Sequence, residues 1–504
     1  MANWIIVSGI TAVYLTLTLW IGLRARGSAE QQSSLEDYVT GGRSFGLVLM
    51  FFIMGAEVFS AAAFLGNPGW AYGRGAPAFY LIAYVGLMAS VGWLLAPRIR
   101  QIAARMKYLT QADMLAGRFN SKVLAALIGI IAIVGLLPYL TIQVAGTGLM
   151  FSAATEGRMP FWLGALLATL VVMAYVYTSG MRGIGWTNFF QGLLMIVIAW
   201  VIGLAVPRQM YGGVGPMFER IAAEAPQYLT LPGGGAPFGW MTFSTAILVS
   251  ALGAWMWPHL FMRFYAADSD RTIKRSLLLF PIFVFILVPL TFIGFAGILA
   301  YQNAPLAKVD DVLLEIVVKT AQLSPWLIGI MLSGALAAAM STGANIAHSA
   351  ATVAVQDVIA KFRPGMTPDQ MLRLIRALVL AICALSYVIA LINPQSLVAT
   401  LLVAYAAIVQ LLPLTLSTLF WPRATRAGAF AGLIVGSGTA LVYTFAWSPP
   451  LGINAGVLGL IANGVALVAV SLLTKPMDDA LLRQFETEEL TPEAPMAGVR
   501  ASAG

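Results

Sequence analysis

The chain is predicted to be an all-α polytopic membrane protein of about 13 transmembrane helices: two inverted five-helix repeats, with one helix before them and two after. Three observations predict this. Hydrophobic residues make up 60% of the 504 positions and charged ones only 10%, whereas a water-soluble domain carries about a quarter charged residues. Apolar runs of roughly 20 residues, each about 30 Å long as a helix, recur from one end to the other. Two of these runs are interrupted by Gly and Pro and stand five runs apart, the pattern of paired halves around a midplane binding site.

The runs lie at about 4–24, 45–71, 76–97, 122–154, 159–179, 185–206, 240–266, 276–301, 325–350, 371–392, 397–420, 426–446 and 453–474. The first has no basic stretch ahead of it and no small-residue cleavage site behind, so it reads as a spanning helix and not as a removed signal peptide. Residues 45–206 and 240–420 are the expected repeats within a single membrane domain, 1–475; the acidic, Pro-containing segment 476–504 is expected to be a disordered tail. An odd count puts the termini on opposite sides. Of the 29 Lys and Arg, only Arg74, Arg158, Arg208, Arg220, Lys308 and Lys319 fall on one side, and the other 23 gather opposite. The positive-inside rule then places the N-terminus outside and the C-terminus in the cytoplasm, in the inner (plasma) membrane. It also accounts for the net charge of +8 without nucleic acid, for which no basic stripe with interleaved aromatics is present. The one cysteine, Cys383, rules out an intrachain disulfide.

The run 45–71, FGLVLMFFIMGAEVFSAAAFLGNPGW at its start, carries Glu57 near its middle. A carboxylate at that depth costs several kcal/mol unless it is protonated, paired or facing water. Gly55, Ala56, Ser60 and Ala61 surround it, and Gly66, Pro68 and Gly69 close the run; such residues let a helix break and backbones approach. The run 240–266 carries Gly253 and Pro258 in its middle and is read as the second interrupted helix. In the ninth run, Leu332–Ala351, large residues are few, and Ser341, Thr342 and Asn345 supply oxygen atoms. Close helix packing and an ion site explain that stretch equally well. The two longer outer loops, 207–239 and 302–325, hold amphipathic segments that fit either lids or plain surface helices.

Together YVTGGRSFG (38–46), GAEVFSAAAFLGNPGWAYGRG (55–75), LTQADMLAGRF (109–119), SGMRGIGWTNFFQG (179–192) and LAAAMSTGANIAHSA (336–350) make the chain resemble the sodium/solute symporter family over roughly 35–475. The resemblance implies the LeuT-like fold and Na+ as coupling ion, held by the carbonyls of Ala56, Phe59 and Ala338 and the hydroxyls of Ser341 and Thr342. Some members hold a second sodium with an aspartate where this chain has Asn188, and with hydroxyls where it has Ala344 and Asn345; a neutral amide cannot offset the ion's charge, so one sodium per cycle is expected.

Glu57 departs from the family pattern. It is left with three roles, a protonated donor, a partner for sodium or a contact to a substrate amine, beside a structural one. The substrate pocket is expected between the interrupted helices and the fourth run, with Glu57, Ser60, Tyr139, Thr141, Gln143, Trp255, Trp257 and His259 as candidates. Interfacial or packing roles explain the tryptophans and the histidine too, and Arg263 is read as snorkelling to the cytoplasmic end.

The function expected is sodium-coupled import of a small organic acid, monocarboxylate or pantothenate-like, by alternating access; a proline-like amino acid or other amine is the alternative. No nucleophile–base pair, metal cluster or phosphate loop points to an enzyme, and a 30-residue tail is too short for a sensor's signalling module. A channel would show flux without saturation. The expected partners are the solute, sodium and membrane lipid, with no nucleic acid and no obligate protein partner.

Overall fold

In the computed structural model, which describes residues 3–235, 238–392 and 397–487, the apolar runs are helices. Ten are long and apolar enough to cross a membrane singly, and two bent pairs bring the number to twelve. One of the ten, Phe161–Tyr211, has 51 residues and is interrupted at Gly180, where φ 51° and ψ −138° are not helical. At 1.5 Å per residue it is about 75 Å long, enough for two crossings. Counted so, the thirteen expected spans are α1 Asn3–Arg24, α2 Leu47–Val58 with Ala62–Arg74, α3 Ala76–Met106, α4 Lys122–Ala154, α5 161–179, α6 181–211, α7 Trp240–Met256 with Pro258–Ala266, α8 Asp270–Ala300, α9 Pro325–Phe362, α10 Pro368–Ile392, α11 Leu397–Ile408 with Leu411–Phe420, α12 Arg426–Phe445 and α13 Ala455–Leu473. Among the described residues the only β pairing is an isolated bridge, Phe45 with Ala267.

That bridge matters for topology. The Phe45 N–H donates to the Ala266 carbonyl at 3.0 Å and the Asp268 N–H to the Phe45 carbonyl at 3.1 Å. The start of α2 therefore adjoins the end of α7, so the two bent spans cross in opposite directions, as inverted repeats require. Their bends are alike, 56° and 55°.

The core is built around α9. In its apolar stretch 89% of the residues are buried, against 28% for α1, α10 and α13, which face outward. Its run of Ala, Gly and Ser lets α1, α4, α5 with α6, and α10 pack close around it. Helices α12 and α13 pack chiefly on each other. At Gly180 only glycine fits: a Cβ there would lie 2.7 Å from the Tyr38 carbonyl oxygen, besides requiring positive φ.

Charged clamps hold the helix ends on the basic side. Arg182 donates to both oxygens of Asp37, at 2.7 to 3.1 Å. Asp113, in the short helix Gln111–Gly117, accepts from Lys361 Nζ at 2.6 Å and Gln356 Nε2 at 2.9 Å, which ties the end of α9 to the α3–α4 connection. Of the segment expected to be a disordered tail, residues 476–487 are described and are folded. Asp479–Arg483 is helical, Phe485 is buried with its ring 6.3 Å from Tyr108, and Arg105 donates to the carbonyls of Gln484 and Glu486 at 2.6 Å. Burial of one aromatic ring offsets the polarity of its neighbours. The remainder, 488–504, lies outside the described residues, as does Pro237 at the end of the first outer loop. The second outer loop lies on α2, with the Leu306 N–H donating to the Tyr72 hydroxyl at 3.0 Å.

Asp113→Ala removes two charge-assisted hydrogen bonds, each worth about 1.5–3 kcal/mol. We expect a lowered melting temperature in detergent with the helix content unchanged, measured by thermal unfolding followed by circular dichroism.

Candidate ion and substrate site

The half-helix Leu47–Val58 ends where Phe59 turns to φ −88°, ψ 81°. A break at this depth leaves carbonyls on one side and N–H groups on the other with no helical partner and no water, so the neighbours must supply them. They do. Ser341 Oγ donates to the Ala56 carbonyl at 2.9 Å and Thr342 Oγ1 to the Glu57 carbonyl at 2.9 Å. Across the break, the Ala61 N–H donates to Gln143 Oε1 at 2.9 Å, and Gln143 Nε2 is anchored on the Tyr139 carbonyl at 3.1 Å. Gly146 permits this approach, since a Cβ there would lie 2.6 Å from the Cβ of Ala61.

Of the five residues expected to hold sodium, the structure joins three directly: Ser341 Oγ donates to the carbonyls of both Ala56 and Ala338, the latter at 3.1 Å. Thr342 is the next residue on α9, and Phe59 is in the break itself; all five are fully buried. The set is carbonyl and hydroxyl oxygen. Such hard, uncharged ligands suit a monovalent hard cation once the hydroxyl hydrogens turn away from the carbonyls.

Glu57 has a partner that the sequence reading missed. Arg263 Nε lies 3.2 Å from Glu57 Oε2, and both side chains are 0% exposed. The expectation that Arg263 snorkels to the membrane face is therefore corrected: its guanidinium turns inward. Nε also donates to the His259 carbonyl at 2.8 Å, a terminal nitrogen donates to Ser349 Oγ at 3.2 Å, and the other meets Met181 Sδ. The two charges attract each other and these bonds hold the guanidinium, and removing one partner of such a pair costs about 3–5 kcal/mol. The signal was present in the sequence. One deep acid and one base sit in the two interrupted runs, which the repeat brings side by side.

The second interruption follows from Pro258. A residue before proline is driven to extended backbone, and Trp257 adopts φ −61°, ψ 125° before helix resumes at Pro258. This delivers Trp257 and His259 to Tyr139 of α4, with ring centroids at 5.0 and 5.7 Å, and sets Trp257 5.6 Å from Tyr405 of α11. His259 Nδ1 is buried without a hydrogen-bond partner among the described residues, and the Trp257 indole N–H has the Tyr405 hydroxyl within its reach. Ser60 is buried, and the Tyr139 hydroxyl is within its reach.

Three further candidates are placed elsewhere. Trp255 turns from the cluster: its Nε1 donates to the Met88 carbonyl of α3 at 2.6 Å and its ring lies 4.9 Å from Phe264. Thr141 donates along its own helix to the Leu137 carbonyl at 3.0 Å. Asn188 lies in α6 beside Phe189, whose ring is 4.8 Å from that of Phe52 in α2. The Asn188 amide is buried with neither polar atom hydrogen-bonded among the described residues.

Two antiparallel interrupted helices, with carbonyl and hydroxyl oxygens gathered at the first break and an aromatic cluster at the second, are the arrangement of the LeuT-like fold. The sequence matches the Sodium:solute symporter family over residues 38–436, and the chain belongs to that family. Sodium is its coupling ion. The chain is 32% identical to the uncharacterized symporter YhjB of Bacillus subtilis over 93% of this chain and 97% of that protein. It is 28% identical to the sodium/proline symporter of Escherichia coli over 94% of each, and 25% identical to the monocarboxylate transport permease protein of Rhizobium johnstonii over 92% and 95%. Among solved structures, a Na+-coupled sialic acid symporter in a substrate-bound outward-open state aligns with a TM-score of 0.78 at 19% identity, covering 94% of this chain and 98% of that one.

Trp257→Phe deletes the indole donor at the cluster, whereas Trp255→Phe deletes a bond to α3. We expect Trp257→Phe to lower apparent substrate affinity about tenfold, the equivalent of about 1.4 kcal/mol, and Trp255→Phe to change it less than about twofold while lowering thermal stability. Concentration-dependent uptake into proteoliposomes reads both.

Proposed function

We propose that the protein is a sodium-coupled symporter importing a small organic acid, a monocarboxylate or a pantothenate-like acid, by alternating access. One observation carries the choice of an acid: His259 Nδ1 is buried beside Tyr139 without a hydrogen-bond partner among the described residues, and the Trp257 indole, whose N–H can only donate, adjoins it. A carboxylate supplies an acceptor to such a cluster. The argument for an amine weakens correspondingly, because the carboxylate that would meet it, Glu57, already faces Arg263 at 3.2 Å.

Charge supports the same reading. Glu57 and Arg263 cancel, so one sodium and one monoanion leave the loaded site neutral, whereas sodium with a zwitterion leaves it at plus one. The sodium position is assigned to Ala56, Phe59, Ala338, Ser341 and Thr342. One ion per cycle is assigned because Asn188 contributes no charge. We place the basic side of the membrane domain, with the C-terminus, in the cytoplasm.

A thermal-shift screen of the purified protein against lactate, pyruvate, pantothenate and proline, in sodium or choline chloride, tests the assignment, since a ligand bound only by the folded state raises the melting point. Stabilisation by an acid in sodium alone is expected. Stabilisation by proline alone would replace the acid with the second reading, a proline-like amino acid, which the sodium/proline relative favours.

Two transport measurements follow. Uptake of the acid should be indifferent to an imposed membrane potential, whereas a net charge moving inward gains about 2.3 kcal/mol per 100 mV. The double variant Ser341→Ala, Thr342→Ala should lose sodium stimulation altogether. A sodium-to-solute ratio near one is expected, and a ratio near two would refute the single-ion assignment.

A further inference from the structure

We infer that Glu57 is the positioning residue through which occupancy of the sodium position is felt by the second interrupted helix; the inference rests on the sodium placement proposed above. Glu57 faces two elements at once. Its carbonyl accepts from Thr342 Oγ1 of α9 at 2.9 Å, and its carboxylate lies 3.2 Å from Arg263 Nε of α7. Arg263 in turn reaches Ser349 Oγ at 3.2 Å, back on α9. Ser349 and Thr342 are seven residues apart, about 10 Å along the same helix. The contacts thus form a closed circuit from α9 to α2 to α7 and back to α9.

Sodium acts on this circuit at one place. A cation that draws the Thr342 hydroxyl oxygen toward the Ala56, Phe59 and Ala338 carbonyls shifts the hydrogen bond that this hydroxyl donates to the Glu57 carbonyl. Glu57 is the penultimate residue of its half-helix, and its carbonyl stands just before the break. A change in its peptide plane therefore carries the side chain with it.

Neither Glu57 carboxylate oxygen has a hydrogen-bond partner among the described residues, so the ion pair alone holds the carboxylate. Between fully buried charges the attraction changes steeply with distance. Arg263 must follow Glu57 or lose its counter-charge. The segment that follows is Pro258–Ala266, which carries His259 of the aromatic cluster and grips it through the Arg263-to-His259 carbonyl bond of 2.8 Å. An ion at the first break thereby orders the cluster at the second. Coupling of ion and solute requires such an energetic link between two sites.

Hydrogen exchange read by mass spectrometry tests this without the solute, using sodium chloride against choline chloride as the only probe. In the wild type, sodium should slow exchange in both 55–62 and 254–266 by about fivefold or more, the lower end of usual coupling factors. In Glu57→Gln, sodium should still slow 55–62, while 254–266 exchanges at the same rate in both salts. Glu57→Asp, whose carboxylate is one methylene shorter, should behave alike and serves if the Gln variant does not fold. A merely structural pair would, when broken, raise exchange of both segments in both salts and leave the sodium-dependent ratio unchanged. Wild-type slowing of 254–266 by sodium in either variant overturns the inference. If sodium leaves 55–62 unaffected in the wild type, the sodium placement fails, and the inference fails with it.

Discussion

Everything at the centre of this protein depends on one requirement of the bilayer: a peptide group released from a helix where water is absent must be bonded by something else. The break at Phe59 exposes such groups, and the chain answers with three side chains from two helices, Ser341 and Thr342 from α9 and Gln143 from α4. These bonds explain why α9 is so fully enclosed and why it is lined with Ala, Gly and Ser. Any larger residue would hold the hydroxyls away from the carbonyls they serve. The same bonds give the break its chemistry, because an oxygen that satisfies a stranded peptide group is also an oxygen that a sodium ion can use.

The fold was legible in the sequence because the bilayer imposes so few solutions. Run lengths located the crossings, and Gly253–Pro258 marked the second interruption where it occurs, whereas the first lies at Phe59, ahead of the Gly66–Gly69 cluster. The boundary between α5 and α6 came from the separate runs 159–179 and 185–206, although the helix is nearly continuous there, with Gly180 alone departing. The site was legible in part. Residues whose role lies in backbone geometry, such as Ala56 and Ser341, came from motif resemblance, whereas the orientation of large side chains did not. Trp255 and Trp257 are two residues apart, and a short extended step at Trp257 sends them to different neighbours. No periodicity rule anticipates that. Arg263 was misread because an arginine near a helix end ordinarily reaches for water, and only the meeting of α2 with α7 shows that it has a carboxylate to turn to.

The ion pair also shapes the electrostatics of the centre. A lone buried charge on either interrupted helix would dominate whatever entered the site. Paired, the two residues leave a region that is polar yet neutral, so the charge of the entering ion and solute decides the balance. The clamps at the basic side are of a different kind. Asp37 with Arg182 and Asp113 with Lys361 lie nearer solvent and tie helix ends together. They fix the frame around the interrupted spans and take no part in the pair at its centre.

The hold of Arg105 on the C-terminal segment has a consequence for sequence drift. The guanidinium grips the main chain at Gln484 and Glu486, while the residue between them, Phe485, is the one whose ring is inserted beside Tyr108. Main-chain carbonyls are the same for every amino acid. The two flanking positions are thus free to vary without loosening the attachment, and recognition falls on the apolar side chains of the segment, Phe485 with Met477 and Leu481.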